Sequence, residues 1–375
     1  MPTGPQLTLI DHHCHGAVTQ PLDREGFEAL LTEAPWPSAP GTSAFDGQLG
    51  FAVRRWCSPV LGLEPSVPAE EYLRRRGELG ADEVNGLLLR AAQVAAWLVD
   101  TGYQSGRVLA PAELARLSGA PAHRIVRLES VAEQVAADGT SAAGFAAAFA
   151  EALAGAAAGA AGLKSIVAYR YGLDFAPARP GAAEVRAAAG RWLRATDAGE
   201  PARVADPVLL RHVIWTGVDC GLPLQFHTGF GDPDARLHRA DPALLHDFLA
   251  ATRGSGARVM LLHCYPYHRQ AGYLANVFPH VYLDVGEALN HVGARSAAVL
   301  AEALELTPFG KMLYSSDAFG LAELHYLGAL RFRRDLGRVL DGFVADGGWA
   351  AADAARVAEM IGAGNARRVY RLDER

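Results

Sequence analysis

The chain carries a series of short β-branched or apolar runs, several of which end in polar residues. The clearest are Leu7–His15, His123–Glu129, Leu163–Tyr169, Leu222–Thr228, Arg258–Cys264, His280–Gly286 and Lys311–Asp317, with a weaker eighth at Ala95–Thr101. Continuous apolar runs of this length predict buried strands. Helical patterns with start and stop signals lie between several of them. Asp206 caps one and Pro207 opens its first turn; Val208, Leu209, Val213 and Ile214 form its apolar stripe, and Gly221 ends it. Asp241-Pro242 opens another, with Leu244, Leu245, Phe248 and Leu249 inside and Gly254 near its end. Alternation of strand and helix specifies a parallel sheet, because parallel neighbours need a crossover. Eight strands predict an α/β fold of the (β/α)8 TIM-barrel type. A doubly wound open sheet is the alternative, but it would place a Gly-rich turn after the first strand, where HHCHG stands.

Residues 34–93 break the alternation. Pro35, Pro37, Pro40, Gly41 and Gly47 make a loop, and the remainder reads as helices. We expect a helical insertion after the first strand that caps the barrel mouth, within a single domain spanning 1–375. The Ala/Gly-rich stretch 141–163 predicts a helix packed closely on the barrel, and 351–372 a closing helix with a short extension.

Composition narrows the function. Half of the 375 residues are hydrophobic and a fifth are charged, enough for a large core. The net charge of −6 excludes a protein that coats nucleic acid. Four cysteines without a CxxC pair exclude a disulfide scaffold and a thiolate zinc knuckle. Neither a signal-peptide pattern nor a membrane-spanning apolar run is seen. We therefore expect a cytoplasmic protein with no nucleic-acid or membrane partner.

Side chains two apart on a strand share a face, so His13 and His15 can reach one metal while His12 and Cys14 face away. Alone, the pair could equally be two hydrogen-bonded polar residues. Other runs also end in metal-capable side chains: LPLQFH at His227, RVMLLH at His263 and KMLYSSD at Asp317. Four histidines and an aspartate at strand ends are hard to explain as packing, since burying them unpaired is costly and a divalent cation supplies the partner. Imidazole and carboxylate suit Zn2+, and Mn2+ or Fe2+ at lower affinity.

This order, HxH on strand one, His on five, His on six and Asp on eight, resembles the amidohydrolase superfamily. The segments LIDHHCHG, LVDTGY, GLKSIVAYRYGLD, LPLQFHTGFGD, MLLHCYPYHRQAGYLA, VYLDVG, LYSSDAFG and NARRVY are similar to the amidohydrolase-related (amidohydrolase 2) family. Within it they look like the amidohydrolase half of plant nodulin-type and fungal fluG-type glutamine-synthetase fusions. At 375 residues the chain has no room for a synthetase domain as well. The resemblance implies that His13, His15, His227 and Asp317 bind a divalent metal, with Asp317 as general base then acid. It implies that His263 is either a further ligand or a donor to the substrate carbonyl, the second being preferred. Lys164 is either carboxylated, bridging two ions, or ion-paired with Glu129 beside a single ion.

Arg170 would sit at the barrel mouth, where its planar fork could grip a substrate carboxylate or pair with Asp174. Tyr169 is a second substrate-binding candidate. For Tyr265 and His268, as for Tyr169, packing or loop hydrogen bonding is the rival role. Glu287 and His291 could line the pocket or face solvent. The Arg74–Arg76 run reads as a solvated helix face, and Cys264 points away from His263. The expected reaction is hydrolysis of a C–N bond, amide or amidine-like, in a small anionic molecule by a metal-activated water. Non-oxidative decarboxylation is the alternative, and a non-catalytic metal-binding scaffold or sensor a third reading. A homodimer is a further expectation for a barrel of this size.

Overall fold

The computed structural model of the chain describes residues 7–374; the N-terminal residues 1–6, part of the segment read for a leader, lie outside the described residues. Among the described residues, seven strands form one wholly parallel sheet in chain order. They are β1 (Leu9–Cys14), β2 (Val94–Asp100), β3 (Ala122–Arg127), β4 (Gly162–Ser165), β5 (Leu224–Thr228), β6 (Val259–His263) and β7 (Val281–Leu283). Every residue of β1, β5 and β6 is buried, which is why they read as unbroken runs and not as alternating ones. The sheet curls. Ile10, Leu98 and Ile125 from its beginning meet Met260 and Leu262 from its end, together with Val369 and Tyr370 from the C-terminal helix. On the other face Leu163, Leu224 and Phe226 pack on Leu209, Val213 and Ile214 of the helix Pro207–Asp219. Asp206 caps that helix as expected, accepting the Val208 N–H at 2.8 Å. Asp241 instead caps a 3-10 turn, Pro242–Leu245, and the α-helix follows at His246–Thr252.

Segment 311–317 departs most from expectation. Only Met312 forms a bridge, to Leu283. Beyond it, Leu313 N–H donates to Leu283 C=O at 2.9 Å, His12 N–H to Tyr314 C=O at 3.1 Å, and Asp317 N–H to His13 C=O at 3.1 Å. The segment thus touches both β7 and β1 without forming a ladder. The Asp11 carboxylate accepts the Ser316 N–H at 3.1 Å and its hydroxyl at 2.5 Å, so side-chain bonds take the place of a regular strand pairing.

The same competition shortens other strands. Glu129 falls in the helix Leu128–Ala137 and not on β3, and it accepts the Ser165 hydroxyl at 2.6 Å and the Ile166 N–H at 3.0 Å. These bonds end β4 at Ser165, and a single helical turn, Val167–Arg170, follows. Asp284 accepts the His263 N–H at 3.0 Å and the Gly286 N–H at 2.9 Å, which stops β7 early and starts the helix Gly286–Val292.

Between β1 and β2 the segment 34–93 contains the helices Gln48–Ala52, Ala69–Leu79 and Ala81–Ala91. The expected solvated face at Arg74–Arg76 needs correction at Arg76, which is buried. Its guanidinium donates to Glu323 at 2.8 Å, and the same carboxylate oxygen accepts the Tyr72 hydroxyl at 2.9 Å. Glu323 lies on the long helix Ala322–Ala345, so this pair fastens the segment to the body of the fold. Among the described residues no helix is long and apolar enough to cross a membrane.

Candidate metal centre

The end of β1 places both histidines with one ring nitrogen held and the other presented. His13 Nδ1 lies 2.8 Å from Gln225 Oε1, and His15 Nδ1 lies 3.1 Å from Asp100 C=O. Such backing fixes the ring and leaves Nε2 outward, as in metal-ligating histidines. His13 Nε2 and His15 Nε2 point at Asp317 Oδ1, at 3.0 and 3.7 Å. His263 Nδ1 is 3.4 Å from Asp317 Oδ2. Ligand atoms of His13, His263 and Asp317 lie within 4.8 Å of one another, and so do those of His13, His15 and Asp100. His227 stands beside His263 with ring centroids 4.6 Å apart. Of the expected ligands, His13, His15 and Asp317 therefore converge directly, His263 joins them, and His227 flanks the group.

Two strand-face expectations are settled by side-chain partners. Strict alternation turned His12 away, but β1 is irregular between Asp11 and Cys14; His12 is engaged by Asp284 at 2.9 Å and Tyr370 at 3.0 Å. Cys264 Sγ bonds Leu261 C=O at 3.3 Å and the Thr228 hydroxyl at 3.4 Å, so it forms no dyad with His263. Lys164 and Glu129 form no ion pair among the described residues. Lys164 Nζ instead lies 3.3 Å from His13 Nε2.

Burial dominates the electrostatics. It holds His13, His227 and His263 well below the usual imidazole range, and His15 at about 4, so these rings are neutral. Burial pushes Asp317 up to about 6, against the pull of His15 and Lys164. It brings Lys164 down to about 8, although Asp317 and Asp100 oppose this. His227 Nε2, both ring nitrogens of His263 and Asp317 Oδ1 are buried and make no hydrogen bond; His13 Nε2 stands 3.0 Å from Asp317 Oδ1 without forming one. Buried polar atoms are nearly always satisfied. Neutral imidazoles around a carboxylate, with their acceptors orphaned, fit a borderline divalent cation. The backbone is strained here as well. His263, Cys264 and Asp317 have φ of 66°, 59° and 49°, a left-handed conformation costing about 1 kcal/mol or more per residue.

The centre opens into a cavity of about 1070 Å³ lined by His15, Lys164, His227, His263 and Asp317. Tyr169 and Arg170 also line it, from the short helix and not from a strand end. Arg170 pairs with Glu133 at 3.0 Å, whereas Asp174 is taken by Arg239 at 2.6 Å. Tyr169 packs its ring 4.2 Å from that of His227. His268 is bound to Glu302 at 2.8 Å and stacked on Tyr265, so both serve packing. Three contributors were missed. Asp100 ends an apolar run as the others do, and the same rule would have found it. Gln225, two before His227 on β5, shares its strand face. Glu33 lines the cavity from an irregular loop and carries no local signal.

A curled parallel α/β sheet with a histidine–carboxylate cluster at its strand ends defines the class as a candidate metal-centre protein. The chain belongs to the amidohydrolase family, whose model matches residues 110–372. It is similar to protein fluG of Emericella nidulans, with 34% identity over 226 residues, covering 57% of this chain and 26% of fluG. The chain thus spans about a quarter of that curated relative. Among solved structures it resembles a Lactobacillus casei protein described as a candidate metal-dependent hydrolase, with a TM-score of 0.81 and 29% identity over 98% of this chain and 96% of that one. The fold is also that of glucuronate isomerase from Caulobacter crescentus, with a TM-score of 0.67 and 15% identity over 100% and 93% of the two chains.

Proposed function

We propose that the protein is a metal-dependent hydrolase that cleaves a C–N bond, amide or amidine-like, in a small molecule. One observation carries this reading: the orphaned, buried atoms of His227, His263 and Asp317, with Nε2 of both His13 and His15 aimed at the same carboxylate from 3.0 and 3.7 Å. His13, His15, His227 and Asp317 are the residues that would hold the ion, with Zn2+ favoured over Mn2+ or Fe2+ by the donor mix. A divalent cation held there would polarise a carbonyl and lower the pKa of water. Asp317 takes the proton of the attacking water and returns it to the leaving nitrogen. His263 donates a hydrogen bond to the carbonyl oxygen as negative charge develops. Tyr169 and Arg170 line the substrate's path. In this reading 1–375 form one domain, 311–317 is the eighth stave of a (β/α)8 barrel, and 34–93 is its cap.

The test is a metal count on purified protein with product analysis. We expect at least one ion per chain, and ammonia or amine released from an amide panel. Carbon dioxide from a carboxylated aromatic would move the chemistry to decarboxylation. Less than about a tenth of an equivalent of metal after mild handling would remove the reading, since a tight site retains its ion. Lys164→Arg resolves the ion count. Loss of one of two ions assigns a carboxylated bridge, and an unchanged single ion leaves Lys164 an ordinary amine.

A further inference from the structure

The cavity holds a second set of acceptors that this chemistry leaves unused. Glu33, from the loop after the helix Arg24–Ala29, joins Glu287 and His291 of the helix Gly286–Val292; one ligand atom from each lies within 4.8 Å of the others. Glu287 is only 5% exposed, and its Oε2 makes no hydrogen bond. His291 Nε2 is 3.6 Å from Glu33 Oε1, beyond hydrogen-bond reach. Among the described residues no lysine or arginine pairs with either glutamate. Four of the cavity's arginines are already matched: Arg24 with Glu28 at 2.7 Å, Arg127 with Asp100 at 2.6 Å, and Arg170 and Arg203 with Glu133 and Asp234, both at 3.0 Å. Arg107 donates to Gln104 at 2.9 Å. Burial pushes Glu33 up to about 7 and Glu287 well above the usual carboxylate range, so a buried carboxyl pair here lacks the cationic partner that would let it ionise.

We propose that Glu33, Glu287 and His291 bind a primary ammonium group of the substrate, a deepening that rests on the hydrolase reading above. An ammonium that enters favours the charged form of both carboxyls. Together with the imidazole, whose pKa burial lowers to about 4, they then offer three acceptors to its three donors. An organic cation fits better than a second metal. His13 and His15 each have the far ring nitrogen held by an acceptor, as ligating histidines do. The far nitrogen of His291 meets none among the described residues; the ring faces Glu33 and the edge of Phe230. The group also lies where substrate must pass, with Glu287 Oε2 3.7 Å from His263 Nδ1. The substrate class is thus a C–N compound with a free primary amine near the bond cleaved, such as an aminoacyl or aminoalkyl amide.

Titration calorimetry on the metal-loaded protein near neutral pH tests this with n-butylammonium, n-butanol and butyrate. Butylammonium binds and the neutral and anionic analogues do not. Glu33→Gln and Glu287→Gln each weaken the binding roughly tenfold or more, with metal content unchanged. Glu33 lies half-buried in a loop, so its variant decides the matter even if Glu287→Gln fails to fold. Equal binding of butanol or butyrate, or an unchanged Kd in Glu33→Gln, overturns the proposal. So does a loss of bound metal in Glu33→Gln, which would assign the group to a second ion. Wild-type protein that holds no metal sinks the hydrolase reading, and the butylammonium isotherm on that same protein still decides the ammonium site.

Discussion

Asp317→Asn lowers kcat about 10³-fold and leaves the folded state intact, the loss expected when a general base is removed. Asn keeps the shape of the side chain but can neither accept the water's proton nor return it to a leaving nitrogen. Stability is spared for a local reason. Asp317 has φ of 49°, and Asn is among the residues that best tolerate the left-handed region. The variant should also hold metal less tightly, because the carboxylate that faces His13, His15 and His263 at 3.0 to 3.7 Å is gone. Steady-state kinetics with excess metal, beside urea unfolding, separates the two effects. Wild-type turnover in Asp317→Asn under metal saturation would remove Asp317 from the mechanism.

Arg127→Ala is the largest expected loss of stability, about 3–5 kcal/mol, because it leaves a buried carboxylate without its partner. Arg127 donates to Asp100 through Nε at 3.1 Å and Nη2 at 2.6 Å, and both residues are buried. Burial alone would raise the Asp100 pKa, but Arg127, helped by His15 and Lys164, holds it far below the usual carboxylate range. The sign of the pH effect follows. A depressed folded-state pKa contributes stability above the unfolded value of about 3.9, lost only as pH falls toward the folded value. Wild-type stability therefore shows no loss from this pair between about pH 8 and pH 5. In Arg127→Ala burial acts unopposed by the guanidinium, the Asp100 pKa rises, and the variant loses stability as pH rises. Urea unfolding at both pH values checks this; equal deficits at both would show that packing, not charge, is what Arg127 contributes.

The candidate metal centre was legible because its residues share a local signature: an apolar run that stops at a histidine or an aspartate. His13, His15, His227, His263 and Asp317 all carry it, and the curl of a parallel sheet brings such stops to one rim. Asp100 carries it too. The signature does not extend to residues whose role depends on distant partners. Gln225 is a polar residue inside a strand until His13 and Tyr370 are seen against it at 2.8 and 2.9 Å. Glu129 was a natural partner for Lys164 in one dimension, but the turn after β4 claims its carboxylate. Arg76 looked solvated in a run of three arginines until Glu323, 247 positions away, proved to receive it.

What the chain determined by itself is therefore its periodicity: which runs are buried on both faces, where helices begin, and which side chains sit where a strand leaves the core. These follow from solvation and backbone geometry within a few residues. Which of the strand-end groups face one another, which arginines are already neutralised, and which carboxylates stand unanswered in the cavity were decided only in three dimensions. Each is a balance of charge and hydrogen bonding among groups that meet through folding, and that balance has no counterpart along the sequence.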